Sequence, residues 1–215
     1  MEYHSSMEQN SDEWKKWRYE GIGSSDAPII MGVSPYKTRF DLWEEKVLQI
    51  EKEQNLYITE KGHEVEEKAR SMYEIMTGNH VPPKCVVHLT RPWMRASLDG
   101  YNQKKNLIVE IKMQGKDDHQ LALEGKVPQK YIYQIMHQLE VTRAESCDFI
   151  SYNEKFGEET LAIVNVKPSE FLIKKLIAAE EEFWQLILTK TPPQFIDRDF
   201  VQLREIGRAS CRERV

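Results

Sequence analysis

The sequence contains only three cysteines, Cys85, Cys147 and Cys211, and no CxxC pair. This usage excludes a disulfide framework and a four-cysteine iron–sulfur cluster. Long apolar runs are also missing, since none approaches the roughly 18–20 residues that a membrane helix needs. The amino terminus, MEYHSSMEQN, is polar and lacks the apolar core of a secretory signal. We therefore expect a cytoplasmic protein with no membrane partner.

An excess of positive charge is missing too. The chain has 30 Lys or Arg residues against 35 Asp or Glu residues, which gives a net charge of −5. This balance is a mild argument against nucleic-acid binding, because phosphate contacts favour basic proteins. The argument is limited, because metal-dependent nucleases concentrate carboxylates at their sites and bound cations invert the local field.

The domain organisation follows from the absence of internal repeats and low-complexity linkers. Residues 1–205 are interpreted as one domain, with an N-terminal helical part at 10–50 and a core at 58–190. The last ten residues, IGRASCRERV, are basic, lack a hydrophobic period and resemble the translation of a common sequencing adapter. We interpret residues 206–215 as adapter read-through that is not native, and a genuine basic tail is the alternative.

Hydrophobic periodicity predicts an α/β fold, a mixed central β-sheet flanked by helices. The predicted helices lie near residues 10–20, 27–31, 40–50, 58–77, 130–141 and 169–189. The predicted strands lie near residues 84–89, 93–101, 106–113, 147–152 and 160–166. The polar link NQKKN between the second and third strands predicts a hairpin.

Three charged side chains can meet on this hairpin. Because side chains alternate between faces along a strand, Glu110 and Lys112 share one face, and Asp99 can lie beside them. Carboxylate oxygens suit Mg²⁺ or Mn²⁺, which polarise a scissile phosphate and lower the pKa of a bound water. A neighbouring lysine can orient or deprotonate that water and offset negative charge. The backbone carbonyl of Ile111 is a further candidate ligand.

The alternative is an ordinary Glu–Lys pair on a solvated face, because the spacing D-x10-E-x-K is a weak pattern by itself. The context favours the site. Glu110 and Lys112 lie inside a strongly apolar strand, where a charge is costly without a function.

Several longer segments carry a family resemblance. They are RYEGIGSSDAPIIMGVSPYKTRFDLWEEK at 18–46, GHEVEEKARSMYEIMTG at 62–78, RASLDGY at 95–101, VEIK at 109–112 and YIYQIMHQLEVT at 131–142. In this order they resemble the lambda-exonuclease family of the PD-(D/E)XK nuclease superfamily, in its YqaJ-type viral recombinase branch. The resemblance implies a core like that of the restriction endonucleases.

The resemblance also implies catalytic roles. Asp99 and Glu110 correspond to metal ligands, together with the Ile111 carbonyl, and Lys112 corresponds to the catalytic lysine. Glu66 matches an acidic residue on the preceding helix, where Glu64 and Glu67 are rivals on spacing alone. The glutamine that follows the lysine strand in the family, placed near phosphate or the attacking water, is matched by Gln134.

A second group of residues matches the 5′-phosphate site of the lambda enzyme, namely Arg18, Ser25 and Ser97. A helix N-terminus with serine hydroxyls and free N–H groups is a natural anion site, and arginine suits phosphate. Ser25 is equally suited to capping its helix. A further phosphate-binding arginine of the family falls on Asp118 here, and Lys116 is the nearby candidate to replace it.

The resemblance implies a Mg²⁺-dependent exonuclease, with Mn²⁺ as a possible substitute and two ions per site. It would act 5′ to 3′ on linear double-stranded DNA in phage-type recombination, from a phage or prophage in a bacterial host. Implied partners are free DNA ends, a single-strand annealing protein and further copies in a homo-oligomeric ring. The alternatives are a DNA endonuclease or RecB-like nuclease on the same core, and a non-catalytic DNA-binding module.

Overall fold

The structure is a computed structural model, and it describes residues 2–4, 7, 11–49 and 56–199. The interpretation of residues 206–215 lies outside these ranges. The described helices are α1 (Asp12–Tyr19), α2 (Ala27–Ile30), α3 (Arg39–Leu48), α4 (Leu56–Thr77), α5 (Lys116–Leu123), α6 (Gln129–Thr142) and α7 (Glu170–Leu188). The described strands are β1 (Glu2–His4), β2 (Ile22–Gly23), β3 (Lys84–Val87), β4 (Met94–Leu98), β5 (Gly100–Asn102), β6 (Leu107–Met113), β7 (Ser146–Tyr152) and β8 (Leu161–Val166).

The strands form two mixed sheets of four strands each. The first has the order β1-β3-β4-β2, and only the β4–β2 pair is parallel. The second has the order β5-β6-β7-β8, with β6 and β7 parallel and both edge strands antiparallel to their neighbours. Helices α5 and α6 form the connection between β6 and β7 that two parallel strands require. The α/β class of the prediction is confirmed.

Side-chain caps fix the starts of the helices that hold the sheets. The hydroxyl of Ser11 accepts from the backbone N–H of Trp14 at the start of α1. Thr38 and Asp41 form a capping box at the start of α3. These caps satisfy backbone donors that lack a partner in the first turn of any helix.

The second sheet is packed between two helices. On one face, Ile135 and Leu139 of α6 share a buried cluster with Ile108 of β6 and Phe149 of β7. On the other face, residues of α4 share a cluster with the opposite side chains of the same strands, namely Val65, Ala69, Tyr73, Val109, Ile111 and Ile150. The predicted alternation of β6 is therefore present, and the face that carries Glu110 points towards α6.

The prediction of one continuous strand over 93–101 is wrong. The chain leaves the first sheet after Leu98 and joins the second at Gly100, so Asp99 is the single residue between them. The alternating pattern runs on across this junction, and hydrophobicity therefore cannot reveal the change of sheet. Helix α5 and the short strands β1 and β2 were also not predicted.

No helix in the described ranges is both long enough and apolar enough to cross a membrane.

Candidate active site

The position of Asp99 follows from strand register. Gly100 pairs with Val109 across the antiparallel β5–β6 ladder, which puts Asp99 one step further, next to Glu110. A Cβ atom on Gly100 would lie 2.9 Å from the carbonyl oxygen of Val81, so a larger residue would displace the crossing segment. Glycine at this position lets the chain change sheets while it holds Asp99 at the strand end.

Asp99 is tied to the second sheet and to α4. Its Oδ2 accepts a hydrogen bond of 2.7 Å from the backbone N–H of Ile111, and its carbonyl accepts one of 2.9 Å from Arg70. Burial raises the pKa of the Asp99 carboxyl well above its ordinary value, and the nearby carboxylates of Glu110 and Glu66 raise it further. Lys112 and the Ile111 bond oppose this shift without cancelling it. Three acidic groups therefore interact at one place.

The Glu110 side chain is held by two glutamines from α6. It is only 1% exposed, and its Oε1 accepts a hydrogen bond of 2.5 Å from the Gln134 amide. Its Oε2 accepts another of 2.5 Å from the amide of Gln138, one helical turn further along. Both contacts are hydrogen bonds to a charged acceptor, the stronger class in proteins. They fix the orientation of the carboxylate before any substrate arrives.

The Lys112 ammonium completes this arrangement. It lies 2.5 Å from Oε1 of Glu110, and the side chain remains 28% exposed. Burial opposes its charge, but the carboxylates of Glu110 and Asp99 outweigh burial and raise the pKa of Lys112 above its ordinary value. The site therefore combines a buried carboxylate with a cation that solvent and substrate can reach.

Glu66 faces the site from α4, whereas its two rivals do not. The Glu66 side chain is 17% exposed, lies 3.4 Å from the Arg70 guanidinium and acts on the charge of Asp99. Glu64 and Glu67 are exposed. The contacts therefore associate Glu66, and neither neighbour, with the acidic group.

The fit of a divalent cation can be tested on these contacts. In the part of the chain that the structure describes, no three His, Cys, Asp or Glu side chains form a ready metal cluster. A carboxylate nevertheless has about four acceptor positions, and Glu110 uses three of them on Lys112, Gln134 and Gln138. Within the described ranges, one position on Oε2 and the second oxygen of Asp99 have no hydrogen bond. Mutual repulsion among carboxylates, seen in the pKa of Asp99, is what a hard cation relieves. The donor set therefore fits Mg²⁺.

The predicted phosphate residues Arg18, Ser25 and Ser97 lie around Trp14. The Arg18 guanidinium lies 4.8 Å from the centre of the Trp14 ring and donates a 3.0 Å hydrogen bond to the hydroxyl of Ser25. The indole N–H of Trp14 donates to Ser97 Oγ at 3.3 Å. The structure thus brings the three residues into one group, and Ser25 remains exposed.

A buried ion pair between Lys46 and Asp26 holds the backbone next to Arg18 and Ser25. The Lys46 ammonium lies 2.8 Å from Asp26 and donates to the backbone carbonyls of Arg18 and Gly21. Asp26 also lies 4.0 Å from Arg18. Although burial opposes it, the cations Lys46 and Arg18 lower the pKa of Asp26. The pair fixes the backbone from which Arg18 extends.

The remaining predicted residue, Lys116, lies apart from this group. It is exposed in the first turn of α5, and the contacts found among the described residues do not join it to Arg18, Ser25 or Ser97. Asp118, which occupies the position of the family arginine, pairs instead with Lys130 at 2.7 Å.

Two contact residues were missed in the sequence. Gln138 lies four positions after Gln134, and Arg70 lies four positions after Glu66, so each pair occupies one helix face. That spacing was the available signal. It was not informative until the neighbouring strand was known to carry Glu110.

The fold is that of the lambda-exonuclease-like nucleases. The solved alkaline exonuclease LHK-Exo from Laribacter hongkongensis is 21% identical, with a TM-score of 0.73 and coverage of 92% of this chain and 99% of that one. Its complex with dAMP gives a TM-score of 0.74 at 24% identity, covering 84% and 94%. A phage-related exonuclease from Haemophilus somnus 129PT gives 0.56 at 16% identity, covering 80% and 96%.

The family model of the YqaJ-like viral recombinase domain matches residues 13–145, and the chain belongs to this family. The protein named "Uncharacterized protein YqaJ" from Bacillus subtilis (strain 168) is 28% identical over 187 residues. These make up 83% of this chain and 57% of that protein, so the chain spans a little over half of its relative's length. The family model therefore gives the family of the chain, and the solved structures give its fold.

Proposed function

We propose that the protein is a Mg²⁺-dependent exonuclease that degrades the 5′-ended strand of linear double-stranded DNA. The observation that carries the proposal is the convergence of Asp99, Glu110 and Lys112, with Glu110 clamped by two buried glutamines. A buried carboxylate beside a lysine in an apolar strand lowers the stability of the fold. Phosphoryl-transfer chemistry gives this pair a function, because it needs charged groups held in place at the reacting phosphate. By the same family resemblance we propose an annealing protein and a ring of further copies as partners.

The chemistry assigns each side chain a task. Asp99, Glu110, Glu66 and the Ile111 carbonyl would hold Mg²⁺, which supplies Lewis acidity and a more acidic bound water. Hydrolysis forms a bond from the water oxygen to phosphorus and breaks the bond from phosphorus to the 3′ oxygen, which takes up a proton. The Lys112 ammonium offsets the negative charge that develops on the phosphoryl oxygens. The two glutamines keep Glu110 from rotating away.

The group around Arg18 is proposed to bind the 5′-terminal phosphate. Arg18 and Ser25 present a guanidinium and an exposed hydroxyl 3.0 Å apart, which suits the oxygens of a phosphate. The excess of positive charge there comes from Arg18, because Lys46 is neutralised by Asp26. End selection in this proposal therefore depends mainly on one arginine.

The test is digestion of an end-labelled linear duplex with Mg²⁺ by the wild type and by Asp99→Ala, Glu110→Gln and Lys112→Ala. We expect cleavage by the wild type alone, and none by any of the proteins in EDTA. Equal digestion by all four proteins would refute the site. Closed circular DNA serves as the second substrate, and its cleavage would favour an endonuclease.

End selection needs a separate measurement. Duplexes that carry either a 5′-phosphate or a 5′-hydroxyl are compared for the wild type and for Arg18→Ala. We expect the wild type to prefer the phosphate and the variant to lose most of that preference while it still cleaves. If the two proteins show the same ratio of rates on the two ends, Arg18 does not read the phosphate.

A further inference from the structure

An exposed aromatic residue, Tyr36, lies on a turn that hydrogen bonds hold in place. The Tyr36 side chain is 70% exposed. Its backbone is nevertheless fixed, because the N–H of Tyr36 donates to the Ser34 hydroxyl at 3.2 Å. Arg198 donates to the carbonyls of Ser34 and Pro35 at 2.9 and 3.1 Å. A ring presented to solvent on a fixed turn is ready to stack on a partner.

A lysine connects this ring with the catalytic residues. The Lys130 ammonium lies 5.9 Å from the centre of the Tyr36 ring and 5.2 Å from that of Tyr131. The Lys112 ammonium lies 5.7 Å from the same Tyr131 ring. The Tyr131 ring therefore lies near both cations, and successive ring–cation contacts join Tyr36, Lys130, Tyr131 and Lys112, here called the tyrosine–lysine strip.

We propose that the tyrosine–lysine strip binds the DNA strand next to the scissile phosphate. Lys130 contacts a backbone phosphate, and the exposed ring of Tyr36 stacks on a base. Aromatic rings that alternate with cations are the recurring means of holding a single strand without reading its sequence. The inference rests on the proposed nuclease function, and it adds a contact with the DNA strand beside the cleaved bond.

Asp118 sets the affinity of this strip. Its carboxylate lies 2.7 Å from the Lys130 ammonium and therefore competes with a phosphate for the same cation. An ion pair whose members are 24% and 29% exposed contributes little to stability, because solvent screens it. A DNA phosphate can therefore replace the Asp118 carboxylate on Lys130 with little loss of stability.

The test is the binding of a fluorescently labelled duplex with a frayed end, measured by anisotropy in Ca²⁺ at several salt concentrations. Lys130→Gln should weaken binding several-fold and reduce the slope of log K against log salt by about one. Tyr36→Ala should weaken binding about tenfold with the slope unchanged, whereas Tyr36→Phe should bind like the wild type. Asp118→Asn should tighten binding.

The matched control is Lys126→Gln, because Lys126 also pairs with a carboxylate, that of Glu124 at 3.1 Å, but has no place in the strip. If Lys130→Gln and Lys126→Gln give the same affinity and slope, the proposal is overturned. The same result follows if the wild type does not bind the duplex. Cleavage of the duplex in Mg²⁺ is measured in parallel, so loss of the proposed nuclease function would appear there independently of the binding data.

Discussion

Replacement of Gln138 by leucine tests whether the clamp on Glu110 matters for catalysis. Gln138 is fully buried, and its amide donates a hydrogen bond of 2.5 Å to Oε2 of Glu110. This is the Glu110 oxygen that keeps an acceptor position for a cation. The Oε1 atom of Gln138 finds no hydrogen-bond partner among the described residues. The hydrogen bond to Glu110 is therefore the contact through which Gln138 acts, and it orients the candidate metal ligand.

The expected loss of activity is large compared with the loss of stability. A hydrogen bond to a charged group contributes about 1.5–3 kcal/mol. If the orientation of Glu110 depends on it, the cleavage rate should fall about ten- to hundredfold, since each 1.36 kcal/mol is a factor of ten. For stability, loss of the donor is offset by removal of the unpartnered Oε1, and leucine fills a similar volume. We expect a change in unfolding free energy of no more than about 2 kcal/mol.

The assay is single-turnover cleavage of a labelled duplex at several Mg²⁺ concentrations, accompanied by thermal melting. We expect Gln138→Leu to need more Mg²⁺ and to cleave slowly even at saturation, and to melt within a few degrees of the wild type. Gln120→Leu on the exposed face of α5 is the control for the substitution itself. A folded Gln138→Leu protein that cleaves within twofold of the wild-type rate would show that the clamp is not needed.

Three further predictions concern charge. Burial and Glu110 raise the pKa of Asp99, so the stability that the protonated carboxyl contributes in acid is lost as the pH rises through that pKa. Asp99→Asn should therefore melt at a higher temperature than the wild type in EDTA at neutral pH. Mg²⁺ should stabilise only the wild type. The reverse order of melting temperatures would contradict this reasoning. Lys46→Met should lower the free energy of unfolding, measured in urea, by about 3–5 kcal/mol, because it leaves Asp26 buried without its closest cation. The double variant Lys46→Met/Asp26→Asn should recover part of this loss. Glu66→Gln should slow cleavage at least tenfold, whereas the exposed Glu67→Gln should not, and equal rates would remove Glu66 from the site.

Strand alternation predicted that the three charged residues at the centre of the candidate site can lie together. Glu110 and Lys112 share a face of β6 because side chains alternate, and Asp99 lies beside them because β5 and β6 form the predicted hairpin. The helix that carries Gln134 was also predicted, since its apolar positions follow a helical period. These features depend on local pattern, which a sequence displays directly.

Features that depend on packing between distant segments were not predictable in this way. The contact of Gln138 with Glu110 spans 28 residues, and that of Arg70 with the Asp99 carbonyl spans 29. The segment KDDHQLAL of α5 is too polar to show a clear helical period, so no helix was predicted there. The family resemblance supplied Arg18, Ser25 and Ser97, but the Trp14 ring that joins them became visible only in the fold.

The single-residue junction between β4 and β5 also limits how the sequence can vary in length. One inserted or deleted residue between Leu98 and Gly100 would reverse which side chains face the core in one of the two sheets, and would move the carboxylate away from Glu110. Residues 103–105 of the hairpin loop have no such constraint, because their polar side chains are exposed. Natural relatives and engineered variants should therefore tolerate insertions in that loop and none at the junction four residues earlier.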